Sequence, residues 1–137
     1  MKNPVDELLE QQELYFTPLS GEFDVERVAE VIRPLGFSYR DEAVPSIFLI
    51  FRDGESREVC RARRQSDPAA PLPYVLLIRA QPDEILVNQF AGPEFGPYSR
   101  AFLEWLLANY ECSVHNEEGT DLTAGLPKPE PTSTLRR

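Results

Sequence analysis

Two short segments that are apolar at every position most constrain the fold of this chain. They are Ile47–Phe51 and Tyr74–Ile78. Segments of this length are too short for ordinary helices and are typical of β-strands that are covered on both faces. A chain with two such strands needs helices that pack on the sheet, so we expect a layered structure of helices and strands.

Helix-forming patterns separate most of the strand-forming segments. After Asp24, apolar residues recur at spacings of three and four up to Ile32, and Pro34 follows, which together predict a helix. Further helices are predicted for residues 3–13, 55–65 and 95–110. Further strands are predicted for residues 14–19, 37–40, 84–89 and 112–115. A turn at 81–83 predicts that the segment 84–89 forms a hairpin with the strand before it.

These elements predict an α/β fold of the mixed (α+β) kind. We expect a single domain over residues 1–123, in which a mixed β-sheet of about five or six strands carries three main helices. Residues 124–137 include Pro127, Pro129 and Pro131 and few side chains that could be buried. We expect them to form a disordered, proline-containing C-terminal tail. The strand order and the oligomeric state stay open at this stage, and a homodimer paired through an edge strand is one option.

Side chains that commonly carry catalysis or bind metals are scarce. The chain has one histidine, His115, and two cysteines, Cys60 and Cys112, which form neither a Cys-x-x-Cys pair nor a cluster with the histidine. Proton transfer, nucleophilic attack and metal binding near neutral pH draw first on these residue types. We therefore expect no metal and no cofactor. Buried free thiols and the lack of a leader-like apolar run predict a cytoplasmic location.

The charge balance is strongly acidic. Aspartate and glutamate account for 23 residues against 14 lysines and arginines, which gives a net charge of −9 at pH 7. Such a charge repels nucleic acids and anionic membranes, so neither is an expected partner. It favours a basic or mixed-charge protein partner, although solubility alone would also account for it.

An aromatic segment before the last long helix is one candidate contact surface. It holds Phe90, Phe95 and Tyr98 together with Glu94, between Gly-Pro breaks that predict a loop. Aromatic side chains on a loop can anchor a protein partner. The alternative is that the loop folds back and its rings fill the space between a strand and a helix.

A second candidate site is a cluster of arginines on the predicted helix 55–65. Arg57, Arg61 and Arg64 share one face of this helix, and Arg63 lies nearby. Guanidinium groups bind phosphates and carboxylates through paired hydrogen bonds, so this face could bind an anion or a small ligand. The alternative is a solvated face whose charges pair with the protein's own carboxylates.

A third candidate uses the single histidine. His115 lies close in sequence to Glu117 and Asp121, and a histidine beside a carboxylate can act in acid–base catalysis. The same residues also fit a turn in which the acidic groups face water or cap the backbone.

The leading hypothesis is a non-enzymatic, acidic protein-binding module that uses the aromatic loop to hold a basic or mixed-charge partner. An inhibitor or immunity-type protein that neutralises a basic enzyme is one such module, because complementary charge speeds association. The first alternative is a small-ligand or anion-binding domain centred on Arg57, Arg61 and Arg64. The second alternative is an enzyme that uses His115 with Glu117 or Asp121.

Overall fold

The computed structural model describes residues 4–51, 53–66, 76–89 and 96–125. The helices are α1 (Pro4–Leu9), α2 (Val25–Ile32), α3 (Gly54–Ser66) and α4 (Gly96–Asn109). The strands are β1 (Glu13–Pro18), β2 (Phe37–Arg40), β3 (Ile47–Phe51), β4 (Leu76–Gln81), β5 (Glu84–Gln89) and β6 (Cys112–Asn116). A short 3-10 helix, Thr123–Gly125, follows β6. Residues 126–137, which make up most of the predicted tail, lie outside the described residues.

All six strands belong to one sheet, in the order β2-β3-β4-β5-β1-β6. The predicted mixed α/β fold, with up to six strands and three main helices, is confirmed, and the predicted hairpin is formed by β4 and β5. Every strand pairing is antiparallel, so the sheet itself is not of the mixed kind that the sequence predicts. For example, β3 ends and β4 begins at the same end of the sheet, so these two neighbouring strands run in opposite directions.

One face of the sheet is buried under α1, α2 and α4. Alternate residues of each strand point toward these helices, as the period of two in a strand requires. The packed side chains include Phe16 of β1, Ile78 of β4, and Phe102 and Leu106 of α4, all fully buried. The amide of Gln89 closes this layer, since its Nε2 donates to the carbonyl oxygens of Leu8 (3.1 Å) and Gln11 (2.7 Å) at the end of α1.

The second face of the sheet is covered by α3 only at one side. Tyr39, Leu49 and Phe51 of β2 and β3 pack against Cys60 of α3. A helix is about 10 Å wide and neighbouring strands lie about 4.8 Å apart, so one helix covers about two strands. The prediction of a strand buried on both faces is therefore confirmed for β3.

The same expectation is wrong for the part of the second apolar segment that the structure describes. Burial in β4 alternates, because Leu77 lies at the border of the cluster under α3 and is only half-buried. Arg79, the next residue on the same face, is also half-buried. Tyr74 and Val75 of that segment lie outside the described residues. Beyond the reach of α3, β4, β5, β1 and β6 therefore expose one side of the sheet, as far as the described residues extend.

Candidate functional site

The uncovered side of β4, β5, β1 and β6 forms a surface that we call the open face. Its centre is a row of residues that lie opposite one another on adjacent strands: His115, Tyr15, Leu86 and Arg79. All four side chains are half-buried. A water-facing sheet surface usually carries polar residues, whereas this row contains two aromatic rings and a leucine.

The two rings of this row are stacked. The centroids of Tyr15 and His115 lie 5.1 Å apart and their planes differ by 9°. The imidazole of His115 has no hydrogen bond or ion pair with any described residue. The stack therefore holds both rings in place through packing.

Carboxylates surround the stacked rings. Glu13 accepts hydrogen bonds from the Tyr15 hydroxyl and from Asn88 Nδ2, both at 3.2 Å. The backbone N–H of Glu13 donates to Oε2 of Glu117 at 3.2 Å. These bonds fix the positions of the carboxylates and still leave lone pairs for further donors. The open face is therefore an aromatic centre with an acidic border.

The opposite end of the row carries one cation. Arg79 Nη2 lies 2.8 Å from Oε1 of Glu84, and both side chains are about one third exposed. Nε of Arg79 and Oδ1 of Asn88 are buried and have no hydrogen-bond partner among the described residues. Buried polar atoms usually have a partner, so this face has an unused donor and an unused acceptor.

The pKa values of two groups, Tyr15 of the open face and Asp121 after β6, are shifted by their surroundings. Burial, followed by the hydrogen bond to Glu13 and its charge, raises the pKa of Tyr15, so the phenol stays protonated at neutral pH. Hydrogen bonds from Thr123, with a smaller contribution from His115, lower the pKa of Asp121. At neutral pH the Tyr15 phenol is therefore neutral, whereas the lowered pKa keeps Asp121 ionised.

The aromatic loop is only partly described. Phe90, Glu94 and Phe95 lie outside the described residues. Tyr98 lies in the first turn of α4 and is half-buried; its ring packs so closely on Gly36 that a Cβ there would lie 3.1 Å from Cζ. Tyr98 also packs against the buried core, which agrees, for this ring, with the alternative that the loop's aromatic rings fill space inside the fold.

The arginines of α3 are engaged with a carboxylate of the same helix. Arg57 Nε lies 3.3 Å from Oε2 of Glu58, and Arg61 Nη2 lies 3.7 Å from the same oxygen. The guanidinium of Arg57 also lies 5.6 Å from the centre of the Phe37 ring. The side chain of Arg64 lies outside the described residues. This pairing resembles the solvated-face alternative, because one glutamate neutralises part of the positive face.

The sequence neighbours of His115 serve the turn after β6. His115 and Asp121 form a backbone bridge, and Oδ1 of Asp121 accepts the N–H of Thr123 at 2.8 Å. Glu117 is bonded to the backbone of Glu13, as described above. Neither carboxylate has a hydrogen bond with the His115 ring, so the described residues do not form an acid–base pair there.

Three further observations concern the Cys112 thiol, metal-binding groups and the helices. Burial raises the pKa of the Cys112 thiol to about 12, so it is protonated and unreactive at neutral pH. The described residues contain no group of three or more His, Cys, Asp or Glu side chains placed to hold a metal ion. None of the described helices is both long and apolar enough to cross a membrane.

The open face was missed at the sequence level because its residues come from strands far apart in the chain. Tyr15, Leu86 and His115 become neighbours only through the order β4-β5-β1-β6. Residues 13–17 and 84–88 alternate between the two faces, which was the available signal that one side of these strands is uncovered. That signal does not say which strands are adjacent.

Comparisons with protein-family models, with curated proteins and with solved structures found no match to this chain.

Proposed function

We propose that this protein is a non-enzymatic protein-binding module that binds a basic partner through its open face. The observation that carries the proposal is the stack of Tyr15 on His115 beside Leu86, bordered by Glu13 and Glu117. Aromatic residues dominate the binding energy of many interfaces, and bordering charges select the partner and orient it.

The chemistry of the open face fits lysine and arginine side chains. A cation above the Tyr15 ring gains a cation–π contact, and the unused lone pairs of Glu13 and Glu117 accept its hydrogen bonds. Leu86 adds apolar area that a partner would remove from water. The proposed surface thus combines an apolar centre with acidic groups at its border.

The charge of the whole chain supports the same class of partner. A net charge of −9 attracts a basic protein over distances of about a Debye length and increases the association rate. An inhibitor or immunity-type protein that neutralises a basic enzyme needs these properties and no catalytic group of its own. Because the free thiols are buried, we place this function in a reducing compartment, the cytoplasm.

The first experiment is capture of partners from the native lysate by the tagged chain, with identification by mass spectrometry. We expect one dominant basic protein on the wild-type chain and its loss on the double variant Tyr15→Ser, Leu86→Ser. Both side chains are half-buried, so this variant should lose some stability, on the order of 1 to 3 kcal/mol, and circular dichroism verifies that it is folded at the temperature of the assay. A matched control is Val44→Ser, which removes an apolar side chain that is 41% exposed in the β2–β3 connection and is not part of the open face.

Two results would contradict the proposal. One is equal capture of the partner by the wild-type chain and by the double variant, with both folded. The other is an association rate that does not depend on salt. For an encounter steered by charge, we expect the rate to fall by about tenfold or more as NaCl is raised from 20 to 300 mM. An association rate that does not change with salt would exclude electrostatic steering by the acidic surface.

A further inference from the structure

The outer edge of β2 is open. Asp41 N–H donates to the carbonyl oxygen of Ile47 at 2.9 Å, so this opposed pair is hydrogen-bonded across β2 and β3. Because such pairs alternate along an antiparallel ladder, Tyr39 also bonds to β3, whereas the backbone groups of Ser38 and Arg40 point away from it. No described residue pairs with them, since β2 is the last strand of the sheet.

A groove runs beside this open edge, between α2 and β2. It encloses a cavity of about 240 Å³. Its apolar walls come from Ala29, Ile32 and Phe48, while Ser38 and Arg40 line it from the strand. Side chains of a strand added to β2 would alternate between the two faces of the sheet, so every second one would enter this groove.

Both ends of the groove are held in place by polar contacts. At one end, Arg40 spans from β2 to α2 and bonds both carboxylate oxygens of Glu26, at 3.2 and 3.1 Å. At the other end, Ser38 Oγ donates to the carbonyl oxygen of Arg33 at 2.9 Å. The groove is therefore a formed feature that does not require an added segment to shape it.

The two arginines of the groove differ in their partners. Arg40 is satisfied by Glu26, by the carbonyl oxygen of Pro45 and by packing of its guanidinium over Phe48. Arg33 lines the same cavity, and its guanidinium has no hydrogen bond or ion pair with any described residue. The groove thus offers an apolar cavity lined by a second cation, Arg33, whose charge also acts at longer range on Glu26.

We propose that the β2 edge and this groove bind an extended peptide segment of another protein by strand addition. The backbone of the segment pairs with Ser38 and Arg40, an apolar side chain fills the cavity, and a carboxylate two residues away bonds to Arg33. This site is on the opposite edge of the sheet from the Tyr15–His115 stack and does not depend on the proposed function.

The charge pattern favours such a segment over a second copy of this chain. Self-pairing would place Phe37-Ser38-Tyr39-Arg40 on itself, and none of these four residues carries a carboxylate that could bind Arg33. Two copies also each carry a net charge of −9 and repel each other. Because the acidic chain would also repel a peptide with several carboxylates, we expect the bound segment to carry a single carboxylate among neutral residues.

The test begins with a library of random heptapeptides displayed with free C-termini and selected on the full chain. We expect enriched sequences to share an apolar residue and, two positions away, a carboxylate. Whether that carboxylate is an Asp or Glu side chain or the chain terminus distinguishes the two sources. An enriched peptide is then synthesised with a fluorescent label, together with a matched version in which the carboxylate is replaced by an amide.

Two pairs of variants separate the backbone contribution from the charge contribution. Ser38→Pro removes the outward N–H without touching the β2–β3 ladder, and we expect about tenfold weaker binding, whereas Ser38→Ala keeps the N–H and binds within about twofold of wild type. Arg33→Ala should weaken the carboxylate peptide by about tenfold and leave the amide version unchanged. Arg33→Glu should prefer a version of the peptide that carries lysine in place of the carboxylate.

The proposal is overturned if no heptapeptide is enriched, or if folded Ser38→Pro and Arg33→Ala bind the peptide as the wild-type chain does. It is also overturned if sedimentation shows a wild-type dimer that Ser38→Pro dissociates, because the edge would then be occupied by a second copy. Thermal unfolding of each variant verifies the fold. Should Ser38→Pro fail to fold, the change of preference in Arg33→Glu decides the matter by itself.

Discussion

At the scale of single residues, the junction after α2 depends on Gly36. Its backbone has φ +50°, a conformation that residues with a Cβ rarely adopt. A Cβ at this position would lie 3.1 Å from Cγ2 of Ile50 and 3.1 Å from Cζ of Tyr98. The sequence Pro34-Leu35-Gly36 predicts the end of a helix, but the close approach of β3 and α4 to this point is visible only in the structure.

We predict that Gly36→Ala destabilises the protein by about 2 to 4 kcal/mol, because backbone strain and overpacking both act there. Urea unfolding followed by circular dichroism measures the change. Gly21→Ala is the matched control for strain alone, since Gly21 has φ +69° and a Cβ there would meet no described atom within 4 Å. We expect it to cost about 1 kcal/mol. Equal losses for the two variants would contradict the role of close packing at Gly36.

At the scale of elements, α2 begins directly after Asp24, where the sequence predicts a helix, and the side chain of Asp24 caps its first turn. Oδ1 of Asp24 accepts the backbone N–H groups of Glu26 (3.1 Å) and Arg27 (3.2 Å). The apolar spacing that follows places Val28 and Ile32 in the core, where both are fully buried. Local signals of this kind act within a few residues, which is why they can be recognised without the tertiary structure.

We predict that Asp24→Ala lowers the free energy of unfolding by about 1 kcal/mol, because two N–H groups at the start of α2 lose their acceptor. Asp24→Ser retains a capping oxygen and should recover most of this loss. The midpoint of urea unfolding reports both changes. A serine variant as unstable as the alanine variant would show that the cap does not contribute in this way.

At the scale of the whole molecule, the net charge of −9 acts against the compact state. Like charges repel more strongly when the chain is folded, and salt screens this repulsion within a Debye length of about 10 Å at 0.1 M. We therefore predict that the thermal unfolding temperature at pH 7 rises by a few degrees, on the order of 2 to 5 °C, between 10 and 200 mM NaCl.

The control for this prediction is the same salt series near pH 4.6, where the net charge is close to zero. Salt should have little stabilising effect there, because no net repulsion is left to screen. A fall in unfolding temperature with salt at pH 7 would mean that screening of ion pairs such as Arg79–Glu84 outweighs relief of the overall repulsion.

The candidate sites were predictable only in part. Arg57 and Arg61 share a helical face, as their spacing predicts, but their common partner Glu58 could not be assigned from spacing alone. The sequence draws attention to His115 through its acidic neighbours, whereas the ring on which it stacks, Tyr15, belongs to a strand from the other end of the chain. Contacts between distant segments leave no local pattern in the sequence, so they could not be predicted from it.

The sequence by itself determined which segments form helices and strands and the acidic charge, because periodicity and composition are local or additive properties. It predicted two strands buried on both faces, and the structure confirms this for β3 but not for β4. Only the tertiary structure decided which strands are neighbours, and hence that β1 lies between β5 and β6. A period of two shows that a strand has one buried face but does not show what lies beside it. It is also the tertiary structure that leaves part of the sheet uncovered, since α3 is wide enough to cover about two strands of the six.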